Sequence, residues 1–361
     1  MNVGDRYGTM GRLLHRIAFR AGTAQHALSD VEETLYADRI DGITAEDPVF
    51  ITSLPRSGTT ILLKLLWQTG RFASHTYRDM SCVLCPLTWS RYTGQFAGEI
   101  EPTERAHGDG LKVSGESPEA FEEMIWKHFW PARYEGDHIE PWRSGDQNEE
   151  FQAFFRSHMR KIIAVRQEET GKNPDQLRYL SKNNLNTARL GAPPAPLEEG
   201  RFVIPFRDPV QQAASMQRQH ERFLQIHEED DFVREYMEAI GHHEFGRGLK
   251  PVNFGGWLDG EPGSPEDLSF WLRYWTAAYQ FILEHASEST VLVSYARLTE
   301  EPEAALSRLA SVLELPTEDL TALATELRAP RSHSTNEERL PGPLLQEGRR
   351  TYECLEEQAS I

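Results

Sequence analysis

Apolar residues cluster in short runs along the chain, and each run is followed by a helical pattern. Val49, Phe50 and Ile51 precede a polar loop and then Ile61, Leu62, Leu65 and Leu66, spaced as on one face of a helix. Phe202, Val203 and Ile204 lead through Phe206, Arg207 and Asp208 to a helix that opens at Pro209. Asp208 suits the cap of that helix and Pro209 its first turn. A third run, Val291, Leu292 and Val293, lies between helical patterns at 268–285 and 302–313. Strands that alternate with helices predict an α/β fold whose central parallel sheet is flanked by helices on both faces, in three layers.

Four further stretches complete the expected organisation. Residues 1–45 form an N-terminal helical segment, with Leu13, Leu14, Ile17 and Ala18 at helical spacing. The main domain spans 46–361. Charge and tryptophan between about 100 and 170, with helices at 118–127 and 152–168, predict helical cover. The charged, then Gly/Pro-rich stretch at about 221–266 predicts a lid-like insertion. Segments 75–145 and 221–265 are expected to line a ligand pocket.

Composition narrows the function classes. The 361 residues, 39% of them hydrophobic, suffice for one large core. No apolar run reaches the roughly 18–20 residues of a membrane span, and no signal-peptide pattern opens the chain, which predicts a cytoplasmic protein. A net charge of −18 opposes attraction to nucleic acid. Cys82, Cys85 and Cys354 are too few for a disulfide scaffold or a zinc site. Any anionic ligand is therefore held by local donors against the global field.

Two segments supply such donors. Pro55, Arg56, Ser57, Gly58, Thr59 and Thr60 form a loop that opens a helix, where backbone N–H groups and the helix dipole converge on an anion. The G-x-x-x-x-G-K-[ST] pattern of an ATPase loop is missing. Arg207, Asp208 and Pro209, with Ser215 eight residues beyond Arg207, repeat the strand-to-helix arrangement and place a guanidinium and a hydroxyl near a second anion.

In this order and at this separation the two segments resemble the 5'-phosphosulfate loop and the 3'-phosphate motif of the sulfotransferases that use 3'-phosphoadenosine-5'-phosphosulfate (PAPS). Leu180, Ser181, Lys182, Asn183 and Asn184 are similar to that family's strand ending in lysine, and Val293 to Leu298 are similar to its late Tyr-Glu-x-Leu strand. The resemblance covers about residues 49–315 and is nearest the bacterial members with a glutamate base. Pro205, Gln211, Asn184 and Ala296 depart from the pattern without removing a phosphate donor.

The resemblance implies a P-loop-like sulfotransferase fold, PAPS as co-substrate and no metal. Arg56, Ser57, Gly58, Thr59 and Thr60 would hold the 5'-phosphosulfate, Arg207 and Ser215 the 3'-phosphate, and Tyr295 would join the nucleotide site. Arg56 and Lys182 would stabilise charge on the leaving phosphate as the sulfuryl group moves in line to a hydroxyl or amine. The general base is expected in the window 75–80, at Asp79 first and His75 second; an Asp79 paired with Arg78 or capping a helix is the competing reading. Glu116, Glu119, Glu122 and Glu123 read as a solvated face or capping turn, His242, His243 and Glu244 lack metal-ligand spacing, and Trp271, Tyr274, Trp275 and Tyr279 read as core. A small-molecule, lipid or carbohydrate acceptor and an oligomer are both compatible with the sequence. A small-molecule kinase and a non-catalytic PAPS-fold module are the alternatives. The kinase lacks its loop lysine, and the module would have no use for Arg56, Lys182, Arg207 and Ser215.

Overall fold

Side chains on a strand point alternately to its two faces, so a strand buried on both faces is apolar throughout. Strand β1 (Val49–Ile51) is wholly buried. The computed structural model, which describes residues 22–93, 103–104, 112–113, 117–328, 337 and 340–361, places β1 at the centre of a five-stranded sheet. Its companions are β2 (Phe72–Ala73), β3 (Arg178–Lys182), β4 (Arg201–Phe206) and β5 (Thr290–Ser294), in the order β2-β3-β1-β4-β5. Every pairing in the sheet is parallel. The helix expected around Leu13 and Ile17, and Glu116, lie outside the described residues.

Ten helices enter the account: α1 (Gly22–Leu35), α2 (Thr59–Gln68), α3 (Pro86–Thr93), α4 (Glu123–Phe129), α5 (Glu149–Thr170), α6 (Pro209–Glu229), α7 (Asp231–Ala239), α8 (Leu268–His285), α9 (Pro302–Val312) and α10 (Gly342–Gln358). On one face of the sheet Val49, Ile51, Leu180, Val203 and Val291 pack with the leucines of α2 and with Leu306 and Leu309 of α9. On the other, Phe50, Tyr179, Phe202 and Ile204 pack with Phe155 and Ile162 of α5 and Trp275 and Tyr279 of α8. Each such aliphatic or aromatic side chain contributes roughly 1.5–3 kcal/mol on burial. The result is the three-layer α/β arrangement expected from the sequence.

Several boundaries differ from the sequence reading. The helix expected at 118–127 begins only at Glu123, because Pro118 bridges to Thr76 and the Glu119 amide donates to the His75 carbonyl at 3.0 Å, holding that segment extended. The late strand ends at Ser294; its hydroxyl accepts from the Arg297 amide, and Tyr295 starts a short helix, Tyr295–Glu300. Residues 221–229 simply continue α6, and Phe223, Phe232, Val233, Phe245, Val252 and Phe254 of the charged stretch are buried in the core. Pro205 is accommodated within β4: the ladder to β1 closes at Thr52, whose amide donates to Val203 at 3.1 Å, and the Pro205 carbonyl is taken by the Ser53 and Tyr279 hydroxyls at 2.7 and 3.1 Å. The segments expected to border the acceptor meet one another, Tyr236 donating to Met80 Sδ at 2.9 Å. Among the described residues no helix is long and apolar enough to cross a membrane.

Candidate active site

Parallel strands deliver their carboxyl ends to one edge, where α/β folds place their ligands. There β1 turns into the loop Thr52–Gly58. Arg56 adopts a positive φ of 69° and Gly58 one of 114°. Positive φ is costly for a residue with a Cβ, and a Cβ on Gly58 would lie 2.5 Å from Cδ2 of Tyr295. Glycine is therefore demanded twice at this position, by torsion and by space. Gly58 precedes α2 with no side chain capping that helix, so its first N–H groups are directed at the crevice. The Ser57 hydroxyl is buried beside Tyr279.

The loop is anchored by neutral groups. Gln212 of α6 donates to the Pro55 carbonyl at 3.0 Å and accepts from Trp275 Nε1 at 2.9 Å and from the Tyr279 hydroxyl at 3.2 Å. Ser53 and Tyr279 hydroxyls lie 2.8 Å apart, and burial raises the pKa of Tyr279, keeping it a neutral phenol. Trp275 and Tyr279, read from sequence as core, thus also hold the loop. Gln212 was missed; its only sequence signal is a polar residue on the apolar face of α6.

The second motif joins the first directly. Asp208 caps α6 by accepting from the Gln211 amide at 2.8 Å, and Pro209 occupies the first turn, as expected. Arg207 Nη1 donates to the Arg56 carbonyl at 3.0 Å, and Arg56 Nε donates to the Ser215 hydroxyl at 3.1 Å. The Arg207 guanidinium lies 5.2 Å from the centroid of the Tyr295 ring, whose edge faces Gly58. Burial lowers the Arg207 pKa, with Tyr295, Tyr279 and Asp208 opposing the shift. Arg56, Gly58, Arg207, Ser215 and Tyr295 are therefore brought together at one place.

Lys182 ends β3 beside Ile51 and is buried. The turn after it is fixed by side chains. Asn183 caps the next residues through the Leu185 amide at 3.0 Å and donates to Glu123 Oε2 at 2.7 Å; Asn186 donates to Glu122 Oε1 at 3.0 Å. Glu123 forms a buried ion pair with Arg189 at 2.8 Å. Glu119, Glu122 and Glu123 are thus buried and hydrogen-bonded, not the solvated face their helical spacing implied; the strand-end turn supplies partners to Glu122 and Glu123, and the Tyr77 hydroxyl donates to Glu119.

The window 75–80 is equally internal. Asp79 is 2% exposed. Its Oδ2 accepts from the Thr76 amide at 2.7 Å, closing a capping box, and pairs with the buried Arg166. His75 Nε2 meets His158 Nε2 at 2.9 Å. Burial holds the His75 pKa at about 4, with the Arg166 charge adding to the shift and Asp79 opposing it. The capping box is the capping alternative for Asp79, while its ion-pair partner is Arg166 and not the Arg78 expected from the sequence. A carboxylate does reach the edge of the crevice: Glu244 Oε1 accepts from Asn184 Nδ2 at 3.0 Å, two residues beyond Lys182, and the Asn184 carbonyl accepts from the Thr52 hydroxyl at 3.2 Å. Glu244 lies in a loop fastened to α6, since the Gly246 and Arg247 amides donate to Nδ1 of His220 and His227 at 3.1 and 3.2 Å. Sequence reasoning weighed Glu244 only as a metal ligand. His242 and His243 turn instead to the Ala120 and Gly248 carbonyls.

No curated protein matches the sequence. Among solved structures the chain is similar to a sulfotransferase of Mycobacterium avium (13% identity, 90% of this chain and 80% of that chain covered, TM-score 0.47) and to one of Mycobacterium tuberculosis H37Rv (13% identity, 92% and 84%, TM-score 0.44). The model of the sulfotransferase family matches residues 48–247, a span that holds the Arg56 loop, Lys182, Arg207, Ser215 and Glu244. The chain belongs to the sulfotransferase family.

Proposed function

We propose that this sulfotransferase takes its sulfuryl group from PAPS and transfers it to the hydroxyl or amine of a small-molecule acceptor. The observation that carries the reading is the direct junction of two anion-binding elements: Arg56 of the first bonds Ser215 of the second at 3.1 Å, and Arg207 of the second bonds the Arg56 carbonyl at 3.0 Å. A donor bearing a 5'-phosphosulfate and a 3'-phosphate on one ribose needs two such elements side by side.

In this reading the α2 N-terminus with Ser57, Thr59 and Thr60 holds the 5'-phosphate, and Arg207 and Ser215 hold the 3'-phosphate. The acceptor oxygen forms a bond to sulfur as the bond from sulfur to the bridging phosphate oxygen breaks, and adenosine 3',5'-bisphosphate leaves. Arg56 and Lys182 stabilise the charge that grows on the leaving phosphate. The acceptor's proton passes to Glu244, the carboxylate beside the Lys182 turn, in place of Asp79, which is paired with Arg166, and of His75, whose Nε2 meets His158.

Calorimetric titration with adenosine 3',5'-bisphosphate, with ADP and ATP as controls and no magnesium, tests the donor. Micromolar binding that depends on the 3'-phosphate supports the reading; binding of ATP alone once magnesium is added, or of no nucleotide, overturns it.

A further inference from the structure

One turn beyond Ser215, two neighbouring residues of α6 carry buried donors that no protein group satisfies: Arg218 Nη2 and Gln219 Nε2. Gln219 is 6% exposed. Buried donors without acceptors are rare in folded proteins, and each calls for an explanation. Arg218 also forms no ion pair among the described residues. Glu221, three positions on, is exposed and does not reach it within 4 Å. This is unusual in a chain with 56 acidic and 38 basic side chains, where carboxylates are the commoner partner.

Helical side chains lean toward the N-terminus, so residue 218 covers the turn that holds Ser215. Ser215 is the residue that meets Arg56, and Arg56 in turn meets Arg207. Burial depresses the basicity of the Arg218 guanidinium, Glu221 offsets part of this, and the like charge of Arg207 adds to it. The charge of Arg207 acts on Arg218, and neither guanidinium is ion-paired to a carboxylate among the described residues; an anion bound by both offsets their repulsion.

We propose that Arg218 is a third ligand of the donor's 3'-phosphate, beside Arg207 and Ser215. The inference rests on the reading of the site as a PAPS site and adds a cationic residue outside the motif that carries the family resemblance.

The test is calorimetric titration of wild type, Arg218→Gln and Arg218→Lys with two probes, adenosine 3',5'-bisphosphate and 5'-AMP. Loss of a charged hydrogen bond weakens binding by about tenfold to hundredfold. Arg218→Gln is expected to lose that factor for the bisphosphate and less than about twofold for 5'-AMP, and Arg218→Lys, which keeps the charge and the fold, to recover part of it. Unchanged bisphosphate affinity in Arg218→Gln overturns the assignment, as does an equal loss for both nucleotides, which would place Arg218 against another part of the ligand. A wild type that fails to distinguish the two probes overturns the PAPS reading itself, and that result is visible without any variant.

Discussion

Gly58→Ala tests whether the loop geometry is what makes the donor site. Two costs arise in the folded state. Holding alanine at a φ of 114° is a strained conformation worth about 1–3 kcal/mol. The new Cβ would meet Tyr295 Cδ2 at 2.5 Å and Cε2 at 2.7 Å, about 1 Å inside ordinary carbon contact, so the ring or the loop must move. The Tyr295 ring also underlies the Arg207 guanidinium, so displacement passes to the 3'-phosphate element. Together these costs come to about 2–4 kcal/mol, or roughly 4–8 °C in Tm at about 2 °C per kcal/mol for a chain of this size. Differential scanning calorimetry and titration with adenosine 3',5'-bisphosphate read the two effects. The double variant Gly58→Ala/Tyr295→Ala removes the collision and leaves the torsional cost, so a coupling of about 1–2 kcal/mol is expected. A Gly58→Ala protein that melts within about 1 °C of wild type and binds the nucleotide equally well refutes the reasoning.

Asp79→Asn removes one of the two carboxylates paired with the buried Arg166, leaving Glu169, and is expected to cost about 1–3 kcal/mol in urea unfolding, with turnover of the protein that remains folded close to normal; a large loss of turnover at unchanged stability would return Asp79 to the chemistry. Glu244→Gln is expected to leave nucleotide affinity intact and to cut transfer from radiolabelled PAPS by at least about a hundredfold on any acceptor the wild type uses; near-normal turnover rejects Glu244 as proton acceptor. Acid weakens the fold through His75. With its folded pKa at about 4, below the ordinary 6.5, the unfolded chain binds a proton between those values that the folded chain does not. The stability it contributes is complete above about pH 6.5 and is lost as pH falls toward 4. The urea midpoint should drop between pH 7.5 and 5, and less so in His75→Gln; an equal drop in both proteins rejects this origin.

Strands β1, β4 and β5, the parallel sheet and the helices at Pro209, Leu268 and Pro302 were legible because burial on both faces and capping chemistry leave local marks: apolar triplets, an Asp-Pro pair, a helical stripe; β3 was read only through the family resemblance, and the two-residue β2 left no such mark. Arg56 and Arg207 were legible as candidate anion ligands for a similar reason, since each stands where a strand gives way to a helix. The proposed proton acceptor was not. Asp79 and Glu244 are both acidic residues in polar surroundings, and only the fold decides that one meets Arg166 and the other Asn184. Glu122 and Glu123 misled because helical spacing reports which residues share a face and says nothing of what covers it. Here the turn after Lys182 does, with two asparagines and Arg189.

The distribution of arginines shows how a chain of net charge −18 can hold a polyanion. Arg166 and Arg189 are buried against Asp79 and Glu123, so their charge is spent inside the fold. Arg207 is held differently, by a backbone carbonyl and an aromatic ring, with no carboxylate ion pair among the described residues. Gln212, Trp275, Tyr279 and Ser53 shape the adjoining loop through neutral hydrogen bonds. Neutral scaffolding fixes the position of a cation without cancelling its field, and in a partly desolvated crevice that field acts at higher effective strength than in water. Replacing one neutral support by an acid, as in Gln212→Glu, would oppose donor binding even where it preserved the hydrogen bonds to Trp275 and Tyr279. The acidity of the whole protein therefore does not decide the field at the site, because the charge that matters there is that of Arg207 at the end of β4, which has no carboxylate ion pair among the described residues.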